Sequence, residues 1–163
     1  MLHSEEEHLH FYCDTFSLML PLRCIAKVIL FDETLCSPTM NSVSHHGQSS
    51  NWQNIALPYI DLRIVLGAEP SSLPTPAHII VLCNSKNSQP VALVAIDDIK
   101  GFITPLPNQW HQAHGINKYI DTFFDRLYVN NDSSVLTLRL GDPTQWINDA
   151  LSNKSNLENH HAH

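Results

Sequence analysis

Val135–Leu140, VLTLRL, sets Leu136, Leu138 and Leu140 on alternate positions, with Thr137 and Arg139 between them. Side chains of an extended chain point alternately to its two faces, so this period reads as a half-buried β-strand. The Tyr119–Val129 segment before it ends in Asn130–Asn131–Asp132, residues that favour a turn. Downstream, Asp142–Pro143 has the form of a helix start. The carboxylate can accept from free backbone N–H groups, and proline at the first helical position gives up a donor the helix does not need. Trp146, Ile147, Ala150 and Leu151 then share one face, which predicts a short helix packed on the sheet.

The same strand signal recurs upstream. Ala77–Cys83 and Pro90–Ile96 are Val- and Ile-rich runs joined by the polar Asn84–Gln89, as in a buried hairpin. Leu9–Cys13 and Phe16–Leu20, separated by Asp14 and Thr15, predict a first hairpin, and Arg23–Phe31 a third strand run. From Asp32 to Asn54 large aliphatics nearly vanish, which reads as a long polar loop. Order returns at Ile55–Ile60, followed by Asp61–Leu62–Arg63 and a turn closing at Gly67. Glu69–Pro76 carries three prolines and two serines and reads as a linker. Many short strands, one short helix and no βαβ alternation predict a mainly β fold of two small barrels rather than an α/β sheet. The expected organisation is a single domain over 1–152, with subdomains at roughly 9–67 and 77–140, a helix at 142–151 and a disordered tail at 153–163.

Composition narrows the functional classes. The 163 residues are 43% hydrophobic and 15% charged, enough apolar material for a core and too little charge for a disordered chain. A formal net charge of −7 with no basic run argues against nucleic acid as a partner. There is no uninterrupted apolar stretch of membrane-spanning length, and the acidic Glu5–Glu7 opening is unlike a signal peptide, so a cytoplasmic location is expected. Cys13, Cys24, Cys36 and Cys83 are widely spaced with no C-x-x-C pair, as reduced core cysteines would be.

Catalytic signatures are missing. The five glycines are isolated, so no phosphate-cradling loop forms, and no G-x-S-x-G occurs. The doublet Asp97–Asp98 would point to opposite faces of a strand and reads as a solvated strand end. Histidine is enriched at 11 residues, but His8, His10, His45, His46, His111 and His114 show neither H-E-x-x-H nor a Cys-His spacing. Surface histidines are the simpler reading, and no metal or cofactor is expected.

The segment Asn51–Arg63, NWQNIALPYIDLR, resembles the CheW family, whose members carry an N-L-R-G turn, an aliphatic strand with proline and then D-L-R. Phe11–Val28 is similar to that family's opening hairpin and L-P-L-x-x-V-x-x-V pattern. His78–Leu82 and Val91–Ile96 are similar to its central strands, and Tyr119–Phe124 with Val135–Leu140 to its closing pair. What the resemblance implies is two intertwined, SH3-like five-stranded β-barrels sharing a core, with a short C-terminal helix. It also implies no catalysis and no cofactor. The implied role is an adaptor between the cytoplasmic tip of a chemoreceptor, held in a groove between barrels, and the regulatory domain of a CheA-type histidine kinase. Other CheW-like domains are further possible partners. The partner-binding positions carried over are Ile25, Lys27, Gln53, Asn54 and His78. Gln53 stands where the family has arginine, which exchanges a charged fork for a neutral amide. Two other readings remain beside this one: an interaction domain of the same fold with a different signalling or localisation partner, and a metal- or ligand-binding protein or an enzyme on a small barrel.

Overall fold

The computed structural model describes residues 6–32, 48–53, 55–112, 118–130, 136–148 and 150. Eleven strands run in chain order: β1 (His8–Cys13), β2 (Phe16–Pro21), β3 (Ile25–Leu30), β4 (Gln48–Trp52), β5 (Ile55–Asp61), β6 (His78–Cys83), β7 (Pro90–Ile96), β8 (Asp98–Ile103), β9 (Trp110–Gln112), β10 (Phe124–Val129) and β11 (Leu136–Leu140). Short helices are α1 (Leu62–Val65), α2 (Lys118–Phe123) and α3 (143–148). No helix among the described residues is long and apolar enough to cross a membrane.

The strands form a six-stranded sheet ordered β8-β1-β2-β11-β10-β9 and a five-stranded sheet ordered β3-β6-β7-β5-β4. Both are curled. In the first sheet the rings of His8 on β1 and Trp110 on β9 lie 5.5 Å apart. Four strand spacings in a flat sheet would separate them by roughly 19 Å. In the second, Ile29 beside β6 and Trp52 on the far edge pack on one cluster with Leu57, Tyr59, Ile79, Val81, Leu93 and Ala95. Each sheet therefore wraps an interior of its own.

Between them lies the shared core. Leu9, Phe11, Leu18, Leu20 and Leu138 from the first sheet meet Ile60, Ile80, Leu82, Val94 and Ile96 from the second, with Phe123 and Trp146 closing one side. The two-barrel architecture is thus present, with a sixth strand, the three-residue β9, on the first sheet. The halves 9–67 and 77–140 each supply both sheets: the earlier half gives β1 and β2 to one and β3, β4 and β5 to the other. The later half gives β6 and β7 to the second sheet before returning to the first.

Five sequence readings are corrected, the first being His8, read as a surface histidine but buried inside the curled six-stranded sheet. Gln48–Trp52, inside the expected loop, is a strand pairing with Trp52 opposite Ile55. An edge strand has its backbone bonds met by one neighbour, so its side chains need not be apolar. Tyr119–Phe123 is helical rather than extended, and the closing strand pair is Phe124–Val129 with Leu136–Leu140. The Thr137/Arg139 face of β11 is buried, not solvated, because the curled sheet encloses it. Asp97, read as a solvated strand end, is half-buried between β7 and β8 and holds Arg63. The expected start of α3 is as read: Asp142 Oδ1 accepts from the Thr144 N–H at 3.0 Å. The tail at 153–163 lies outside the described residues.

Candidate functional site

The D-L-R triplet is a folding device. Asp61 ends β5 and caps α1, accepting from the Arg63 N–H at 3.0 Å. The Arg63 side chain folds back, donating through Nε to Asp61 Oδ1 at 3.0 Å and through Nη2 to Oδ2 at 2.8 Å. Its remaining nitrogen reaches the Pro74 carbonyl at 2.7 Å and Asp97 Oδ1 at 3.1 Å. One buried guanidinium therefore joins the end of β5, the 69–76 connection and the β7–β8 corner. A cleft of about 450 Å³ opens beside it, with Tyr12, Asp98 and Lys100 on its wall. There Lys100 pairs with Asp98 at 2.9 Å and lies over the Tyr12 ring. The cations of the cleft are met internally.

Three of the five sequence-derived positions lie on the β3–β6 pair, Ile25 and His78 at its opposite ends. Ile25, half-buried on the shared core, stands opposite Leu82, and Lys27, exposed, stands opposite Val81, with a bulge between. His78 opens β6, paired with Leu30 on one side and Ile96 on the other. Its Nδ1 is buried without a hydrogen-bond partner among the described residues. β3 is an edge strand, and Leu30 beside His78 is 73% exposed. Asp98, at the start of β8, is held below the usual carboxylate range first by its hydrogen bond from Lys100, with a smaller contribution from His78. β8 is itself an edge strand and carries Phe102, 65% exposed. Gln53 sits apart, exposed at the tip of the β4–β5 hairpin with φ 49°, at the other end of the ladder from β3. Asn54 lies outside the described residues.

The sequence reading missed the interior of the six-stranded sheet. Pairing registers set Tyr12 opposite Ser17, Ser17 opposite Thr137, and Met19 beside Arg139 on one face. Ser17 Oγ bonds His10 Nε2 at 2.8 Å and Thr137 Oγ1 at 2.7 Å. This serine is 4% exposed, so the pair satisfies a buried polar face rather than presenting a nucleophile. Arg139 bonds His8, Asp125 and Glu6 through its three nitrogens. Nothing in the VLTLRL pattern marks Arg139 as buried, since only the curl of the sheet encloses it. Among the described residues no three His, Cys, Asp or Glu side chains converge as a metal site.

Two curled β-sheets on one core, with uncovered apolar and charged side chains along strand edges, define a mainly β two-barrel domain. The CheW-like domain model matches residues 7–142, and the chain belongs to that family, one of scaffold and adaptor domains. Among solved structures it is similar to the scaffolding protein TtCheW from Thermoanaerobacter tengcongensis, with a TM-score of 0.65 and 14% identity. That likeness covers 84% of this chain and 89% of the other. Curated protein sequences give no match.

Proposed function

We propose that this chain is a non-catalytic, cytoplasmic adaptor that couples chemoreceptors to a CheA-type histidine kinase. The observation that carries the reading is the family match across 7–142, which spans all eleven strands. The β3–β6 pair is the proposed kinase- or receptor-facing surface, with Ile25, Lys27 and His78 as its positions and Gln53 as a second one; Asn54 is proposed from the resemblance alone. Physical support comes from β3 being an edge strand. Such an edge offers backbone groups to an added strand, and its exposed side chains select the partner.

The test is titration of the chain against the isolated regulatory domain of a CheA-type kinase from the same organism, and against a receptor cytoplasmic fragment. Lys27→Glu reverses a charge on an exposed side chain and leaves the core untouched, so it separates binding from folding. Saturable binding to the kinase domain, weakened about tenfold by Lys27→Glu, is the expected result, a loss of about 1.4 kcal/mol. Absence of binding to both partners overturns the proposal.

A further inference from the structure

His8 occupies a position that admits one protonation state. It is 1% exposed inside the six-stranded sheet. Its Nδ1–H donates to the Glu6 carbonyl at 2.8 Å, and its Nε2 accepts from Arg139 Nε at 3.1 Å. An imidazolium donates from both nitrogens, so a protonated His8 would face the Arg139 N–H donor to donor. The ring also packs edge-on against Trp110, whose faces carry Arg126 and Arg139 at 5.4 and 5.6 Å.

This histidine anchors a short strap. The Glu6 carboxylate pairs with Arg139 at 3.0 Å and with Arg23. The Glu7 carbonyl accepts from the Leu22 N–H at 3.1 Å. Residues 6–8 are thereby tied to β11 and to the turn that leads into β3. We propose that the strap is a proton-operated device: a proton taken up by His8 breaks its bond to Arg139, releases residues 6–8 and loosens the entry to β3.

The charged groups around the ring set the direction. Burial, then Arg139 and Arg126, depress His8 from the ordinary 6.5 to about 4. Glu6, 4.0 Å away through Oε1, pulls the other way without prevailing. On β10, burial raises Asp125 against the pull of Arg139 and Arg126, so its uptake of a proton favours the closed form. Two residues along β1, His10 is also depressed, first by burial and then by Lys100, and acts in the same sense as His8. With 6.5 for the open form and about 4 for the closed, the His8 contribution favours opening about 20-fold more at pH 5 than at pH 7.

The experiment is hydrogen exchange on the whole chain at pH 7, 6 and 5, corrected for intrinsic rates, with His8→Gln as the comparison. Glutamine can accept from Arg139 and donate to the Glu6 carbonyl but does not titrate. The amides at the start of β1 should open about 20-fold more at pH 5 than at pH 7 in the parent. In His8→Gln the change should stay within about threefold, with β6 and β7 unaffected in both. An unchanged pH response in the variant overturns the proposal. Should His8→Gln fail to fold, nitrogen-15 resonances of the parent histidines decide. His8 held in its Nδ1–H form down to about pH 4 supports the device, and a midpoint near 6.5 removes it. The link to β3 as a partner surface rests on the adaptor reading; the exchange result does not, so the two can fail separately.

Discussion

Replacing Arg63 by methionine removes the side-chain bonds to Asp61, the contact with Asp97 and the bond to the Pro74 carbonyl. Methionine keeps most of the volume and the apolar stem, so the change isolates the charge. Asp61 is 0% exposed and Asp97 29% exposed, and both lose the cation that faced them. Breaking one side of a buried ion pair costs about 3–5 kcal/mol, because the remaining charge loses its compensation in a medium that solvates it poorly. Set against a typical domain stability of about 5–15 kcal/mol, that is a large share. In a chain of this length it corresponds to a fall in Tm of roughly 6–20 °C. Urea unfolding followed by tryptophan fluorescence is the assay, read as a fall in midpoint at constant m-value. The double variant Asp61→Leu/Arg63→Met should lose less than the sum of its parts, with a coupling of at least about 2 kcal/mol. A loss below about 1 kcal/mol for Arg63→Met, or strict additivity, would falsify the idea that the guanidinium holds three segments together.

Other outcomes follow from individual sites. Trp146→Ala empties a site packed against Phe123 and removes the indole bond to the Gly141 carbonyl, so it should cost about 3–5 kcal/mol in the same urea assay. Gly101 has φ 130° and nothing within 4 Å of an added Cβ, so Gly101→Ala should cost about 1–3 kcal/mol through backbone strain alone. Gly141→Ala, whose added Cβ meets its neighbours at ordinary contact distance, is the milder comparison. Burial and then Asp97 and Asp61 push the Cys13 thiol well up, so iodoacetamide should label it in denaturant and scarcely at all in native buffer. Native labelling of Cys13 at the rate of a free thiol would contradict that.

Much of the scaffold could be read from the chain because apolar period and turn chemistry are local. The hairpins at Asp14–Thr15 and Asn84–Gln89 and the cap at Asp142 all follow from neighbours in sequence. What escaped depends on partners far along the chain. β4 is a strand because β5 pairs with it, not because Gln48, Ser49, Ser50 and Asn51 favour one. Thr137 and Arg139 carry the alternation of a solvent-facing side, and only Ser17, His8 and Asp125 turn that side into a filled interior. The proposed partner-binding positions came from the family resemblance. Ile25 and Lys27 lie on the edge strand β3, His78 lies on its neighbour β6 at the far end of that pairing from Ile25, and Gln53 lies at the other side of the sheet. The exposed Leu30 and Phe102 were invisible in sequence, since an apolar residue ending an apolar strand looks like core until its neighbours are known.

The parallel pairing of β2 with β11 joins Ser17 to Thr137, 120 positions apart. On the ribosome this becomes a matter of time. At about 5–20 residues per second, the first hairpin would wait roughly 6–24 s for the strand that completes its sheet. Through that interval β2 offers an open edge and the apolar row Leu18 and Leu20, while β3 to β7 can already assemble beside it. Long-range pairing of this kind slows folding as well. The nascent chain is therefore most exposed to misassembly at β1 and β2, and its dependence on chaperones should fall there.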